Sequence, residues 1–171
     1  MGVKEKIKIG GVMQSEGRAL LRVLSVPDRP GVASTLLSVL GQNGINIEFL
    51  VEGVDIEGCG NFSICIDQKD LDAALGVLGT VKERIEAKGI SYLPDVAVLS
   101  VFGPHLREKP KVPGVMFSAL ASCGINVIAI STSISSVSCV IEAAYLDDAI
   151  RALQEAFDIP FVQVKKRPKD Y

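Results

Sequence analysis

The pattern of apolar and polar positions runs through the same course twice along the chain. Residues 18–26 set Leu20, Leu21, Val23, Leu24 and Val26 among Arg18, Arg22 and Ser25, the signature of a largely buried strand. Pro30-Gly31 breaks that run and opens a helix in which Leu36, Leu37 and Leu40 share a face. Gly44 ends the helix, because glycine takes the left-handed terminal conformation without a Cβ penalty. Residues 45–54 predict a second strand, 57–60 a turn and 61–66 a third strand. Leu71, Leu75, Leu78 and Ile85 recur at helical spacing, and 90–96 closes a βαββαβ unit.

The second course begins with a strand over 96–103 and a helix through Val112, Phe117 and Leu120. Pro113 falls in the first turn of that helix, where its missing N–H does no harm. Strands follow over 125–131 and 137–143, then a helix over 147–157 with Ala149, Ile150, Leu153 and Phe157 on one face. Two segments compete for the last strand: 161–165, next in sequence, and 6–13, from the opposite end of the chain.

Residue identities support the repeat. Val23-Leu24-Ser25-Val26 returns 75 positions later as Val98-Leu99-Ser100-Val101. Gly44-Ile45-Asn46-Ile47 returns after 80 as Gly124-Ile125-Asn126-Val127. Leu71-Asp72-x-Ala74-Leu75 returns after 75 as Leu146-Asp147-x-Ala149-Ile150. The extra five positions fall in the loop 102–107, where insertions are tolerated. The expected fold is α+β, with two ferredoxin-like βαββαβ units, each an antiparallel sheet with its helices on one face. The expected domains are 17–96 and 97–171, the latter completed by 161–165 or by 6–13.

Composition narrows the function. Aromatic residues are 5% with no Trp, so both cores are aliphatic. The net charge of −2 argues against phosphate-driven nucleic-acid binding, and an RNA-reading sheet would need aromatics where the central strands offer Phe62 alone. No apolar run approaches the length of a membrane span, and the N-terminus has no signal-peptide core. Cys59, Cys65, Cys123 and Cys139 show no metal or redox spacing, so reduced thiols and a cytoplasmic location are expected. Neither a catalytic triad nor a phosphate loop is present, and His105 is the sole histidine, so neither catalysis, metal nor cofactor is expected.

Val26-Pro27-Asp28-Arg29-Pro30-Gly31-Val32-Ala33, followed by Gly44-Ile45-Asn46-Ile47-Glu48, resembles the signature of ACT domains. Gly124-Ile125-Asn126-Val127 followed by Ser131-Thr132-Ser133 resembles its second form. The ordered pair is similar to the tandem regulatory region of aspartate kinases, over about residues 7–158. The catalytic kinase domain of that family has no counterpart here. The resemblance therefore implies a free-standing regulatory subunit or an independent amino-acid sensor. It also implies that 6–13 supplies the last strand of the second unit, with 161–165 as an extra element, and that the chain forms a homodimer.

The chemistry of an amino-acid ligand fits the first unit. Its carboxylate suits backbone N–H groups at a helix start, and Gly31 lets it approach. Its ammonium suits Asp28 before the helix and Glu48 and Glu52 on the following strand. By the resemblance, Asp28, Gly31, Val32, Ala33, Asn46, Ile47, Glu48 and Glu52 form the candidate site. Glu52 departs from the neutral Gln that related aspartate kinases often carry, so the effector's identity does not transfer; lysine and threonine are the resemblance's first suggestions. The second unit departs further, with Glu108 for the Asp, Lys111 for the Gly and Ile134 for the usual Glu. It reads as a degenerate site, whose Asn126, Val127 and Ile128 backbone faces the first site of a partner chain by the same resemblance. A separate amino-acid biosynthetic enzyme is a further expected partner. The competing expectation is a ligand-free assembly module that uses its edge strands.

Overall fold

The computed structural model describes residues 6–160. In chain order the elements are β1 (Ile7–Lys8), β2 (Gly11–Pro27), α1 (Val32–Gln42), β3 (Ile47–Val54), β4 (Cys59–Asp67), α2 (Leu71–Val81), β5 (Gly89–Phe102), α3 (Val112–Ser122), β6 (Ala129–Thr132), β7 (Ser136–Glu142), α4 (Leu146–Ala156) and β8 (Phe157–Asp158). They divide into two compact units, one of residues 17–96 and one in which residues up to 16 join those from 97 onward. Both boundaries fall inside strands, β2 and β5.

In the 17–96 unit the strand order is β3-β4-β2-β5, with β2 and β3 each antiparallel to β4. Alternation along β4 turns Phe62, Ile64 and Ile66 to one face, where they meet Ala19, Leu21 and Val23 of β2. Helix α1 lays Val32, Leu36 and Leu40 on that face, and α2 adds Ala74 and Leu78. Asn43 and Gly44 stop α1; Gly44 takes φ +72, and the Ile45 N–H donates back to the Leu40 carbonyl at 3.1 Å. The side chain of Ile45 is buried in the same core.

The other unit repeats the arrangement in the order β2-β5-β7-β6. Val112, Met116 and Leu120 of α3 and Ala149, Ile150 and Leu153 of α4 cover Ala97, Leu99 and Val101 of β5 and Val137, Cys139 and Ile141 of β7. Gly124 at φ +71 and the Ile125 N–H bonded to Leu120 at 3.1 Å reproduce the α1 terminus. Ile9 and Val12 belong to this core, and β1 pairs in parallel with β8 through Ile7 with Phe157 and Lys8 with Asp158. The segment 161–165 lies outside the described residues.

Element lengths differ from the sequence pattern in instructive places. The strands expected over 18–26 and 90–96 are parts of longer ones, β2 and β5, which run on through Gly17 at φ +68 and Asp95 at φ +53. Asp95 is held in this conformation by the Gln68 amide, which donates to its carboxylate at 2.9 Å and accepts its N–H at 2.8 Å. The strand expected over 125–131 is shorter, Ala129–Thr132, and Phe157 leaves α4 to pair with Ile7.

Candidate functional site

The site begins where β2 stops. Pairing between β2 and β4 slips between Val23 and Val26, and Ser25 takes φ +52 with its N–H donated to Asn61 Oδ1 at 3.0 Å. Asn61 Nδ2 donates to Asp55 Oδ2 at 3.1 Å, and Asp55 Oδ1 accepts the Glu57 and Cys59 N–H groups at 2.9 and 3.0 Å. The Cys59 N–H first, then the Asn61 amide, hold the Asp55 carboxyl below its ordinary 3.8. This relay ties the bulge before Asp28 to the β3–β4 hairpin.

Past Pro27 the chain is exposed through Asp28, Arg29 and Pro30 and turns into α1 at Gly31, φ +96. A Cβ at Gly31 would meet nothing within 4 Å, so the requirement for glycine is conformational rather than steric. No side chain caps α1 and its first turn holds no acidic residue; the Val32 N–H donates to the Arg29 carbonyl at 3.5 Å, and the N–H groups that follow, from Ala33, lie at the positive end of the helix dipole.

The candidate residues separate into two groups. Glu52 sits near the same end as Asp28, Gly31, Val32 and Ala33: it pairs with Phe62, and a Cβ on neighbouring Gly60 would lie 3.2 Å from its carboxylate. Asn46 and Ile47 lie at the start of β3, where Ile47 pairs with Ile66 at the opposite end of the sheet. At about 3.3 Å per residue the length of β3 separates the groups by roughly 20 Å. Glu48 lies in a β3 bulge between Ile47 and Phe49, and its carboxylate meets Arg18 Nε at 2.5 Å. Arg18 Nη1 also reaches Asp67 at 3.0 Å. Partial burial pushes the Asp67 carboxyl up, but the Lys69 N–H and the Arg18 guanidinium outweigh it and hold it below its ordinary value.

A feature that sequence pattern did not reveal lies on the other side of Gly31. A cavity of about 270 Å³ opens there, lined by Arg29, Gly31, Val32, Thr35, Arg84 and Ile85. The Arg29 guanidinium is paired with Glu86 at 2.5 Å. Arg29 lies inside the motif itself, but Arg84 and Glu86 arrive from beyond the end of α2, so no local spacing announces them.

In the second unit Lys111 replaces the glycine at the start of α3 and is right-handed, with Pro113 in the first turn. Asn126 is exposed and Val127 half-buried, while the Ile128 N–H is already committed to the Val140 carbonyl at 2.8 Å. His105 stands exposed at φ +56 with Nδ1 3.3 Å from Glu108 Oε1. Burial pushes the Cys65 and Cys139 thiols up to about 12, helped at Cys65 by the nearby Glu48 charge. Among the described residues no cluster of His, Cys, Asp or Glu could hold a metal ion, and no helix is long and apolar enough to cross a membrane.

Two ferredoxin-like units, each opening its first helix on an uncapped loop, define a tandem ACT-domain architecture; ACT-domain family models match residues 19–86 and 99–157. The crystal structure of the regulatory subunit of aspartate kinase from Thermus flavus superposes with a TM-score of 0.81 and 30% identity, over 88% of this chain and 99% of that one. Aspartate kinase from Synechocystis gives 0.87 and 28% identity over 98% of this chain and 30% of that one. Aspartate kinase of Pseudomonas putida is 33% identical over 151 residues, 88% of this chain and 37% of the relative. The chain belongs to the family of aspartate kinase regulatory regions, and spans a little over a third of the curated relatives it matches.

Proposed function

We propose that the chain is a non-catalytic allosteric regulator that senses a free amino acid at the α1 end of the 17–96 unit. The observation that carries this reading is the uncapped start of α1 at Gly31, with Asp28 exposed beside it, in a chain that matches a regulatory subunit over nearly its whole length. The N–H groups in the first turn of α1, from Ala33, receive the ligand carboxylate, and Asp28 and Glu52 receive its ammonium. Asn46, Ile47 and Glu48 lie too far away to close this pocket within one unit. A homodimer supplies the missing wall, with the 126–128 backbone of a second copy set against the α1 end. Lysine and threonine are the first effectors to test.

Regulation then requires that the effector bind two arrangements of the assembly unequally, whether that assembly is the dimer or its complex with a separate biosynthetic enzyme. Calorimetry of the full chain against each of the twenty amino acids tests the reading. Saturable binding by one or a few of them, lost in Asp28→Ala, is the expected result. Absence of binding by any amino acid at millimolar concentration overturns it in favour of a ligand-free assembly module.

A further inference from the structure

The charge inside the cavity beside Gly31 is one-sided. Its charged lining residues are Arg29 and Arg84, two cationic residues around one open space of about 270 Å³ next to the first turn of α1. Guanidinium groups offer paired donors that match the two oxygens of a carboxylate, and two of them in one recess favour an anionic group there.

Glu86 sharpens the point. After α2 the chain turns through 82–87, with the Ile85 N–H bonded to Val81 at 3.0 Å and the Ala87 N–H to Lys82 at 3.1 Å. The residue at the left-handed position of this turn is Glu86, φ +55, where glycine is the usual occupant. Its carboxylate lies on Arg29 at 2.5 Å, in a pair about half exposed. Arg84 has no such partner among the described residues. One guanidinium of the cavity is therefore covered by an internal carboxylate and the other is open.

We infer that Arg29 and Arg84 form a carboxylate-binding wall, and that Glu86 is a built-in competitor which holds Arg29 until a ligand carboxylate displaces it. The inference deepens the sensor reading and rests on it only for the ligand being an amino acid; the wall itself is defined by charge and space. The class taken is a small carboxylate with at least one free oxygen pair. Displaced Glu86 is left free on the turn after α2, so binding at α1 changes the contacts of that turn.

Acetate titrated into the ¹⁵N-labelled full chain tests this, read at the Nε–H signals of Arg29 and Arg84 and the amides of Gly31 and Val32, with chloride at equal ionic strength as control. Saturable shifts specific to acetate are expected. They disappear in Arg84→Gln, whose exposed side chain leaves folding intact, and in Glu86→Gln they develop at roughly two- to fivefold lower acetate, the factor an exposed ion pair is worth. Equal shifts with chloride, no saturation, or no effect of Glu86→Gln would each overturn the inference. An acetate response at Arg84 without amino-acid binding in calorimetry retires the sensor reading and keeps the wall. Amino-acid binding that needs Asp28 but is indifferent to Arg84→Gln and Glu86→Gln does the reverse.

Discussion

The Glu48 carboxylate closes on the Arg18 guanidinium at 2.5 Å, while the same guanidinium reaches Asp67 at 3.0 Å, so one cation joins β3, β2 and β4. Arg18 and Glu48 side chains are only 13% and 17% exposed, which places the pair between a screened surface contact and a buried one. Glu48→Gln leaves a largely buried guanidinium short of a charged partner and is expected to cost about 1–3 kcal/mol. Urea unfolding checks this as a lower midpoint at unchanged slope. Glu57→Gln, at the exposed hairpin tip, is the control and stays within about 0.5 kcal/mol of the parent.

Asp55 makes stability depend on pH in a stated direction. The Cys59 N–H and then Asn61 hold its folded carboxyl below the ordinary 3.8, so the unfolded chain binds the proton more readily. Between the two values stability rises with pH; the contribution is complete above the unfolded value and gone below the folded one. Asp55→Asn is expected to be less stable than the parent at neutral pH, with the gap narrowing as pH falls through that window. Carboxyl NMR titration that places Asp55 at or above 3.8 would remove the basis of this expectation.

Two glycines meet backbone to backbone near the start of β2. A Cβ on Gly103 would lie 2.8 Å from the Gly10 nitrogen, and one on Gly10 would lie 2.9 Å from the Gly103 Cα, atoms that no side-chain rotation can move aside. Gly103→Ala is expected to lose about 1–3 kcal/mol through overpacking. Gly76→Ala, in α2 with nothing within 4 Å of the new Cβ, gains about 0.5–1 kcal/mol instead. Thermal melts of the two variants should move in opposite directions.

The thiols should sort by burial. Cys65 and Cys139 are buried and pushed up to about 12, so at pH 8 they hold almost no thiolate, whereas Cys123 is exposed. Brief iodoacetamide labelling of the native chain, mapped by mass spectrometry, is expected to mark Cys123 and to spare Cys65 and Cys139 until denaturant is added.

What could be read in advance follows the range of each signal. The turns at Gly44 and Gly124 were legible because a left-handed glycine followed by a buried isoleucine is a local requirement, written twice. The strand lengths were less legible: β2 and β5 run on through Gly17 and Asp95, both at positive φ, beyond the limits that the apolar pattern sets. The loop from Asp28 to Ala33 could be singled out because helix-opening chemistry is local. Glu48 looked like a ligand group because its partner Arg18 comes from another strand, and Arg84 gave no sign because it reaches Gly31 only through the packing of α2. Periodicity reports which face a residue uses and is silent on which distant charge waits there.

The parentage of the strand that begins at Gly11 bears on how the chain is made. Ile9 and Val12 bury themselves among residues from Ala97 to Phe157, so a segment made before the 17–96 unit belongs with the one made after it. The 17–96 unit holds all of its own strands and can close as soon as it emerges. The leading segment must wait for about 80 further residues before its neighbours exist, roughly 4–16 s at ordinary elongation rates. During nascent growth it is an unmatched β-edge, and that interval, rather than the finished fold, is where a chaperone or a neighbouring nascent copy has its opportunity to capture it.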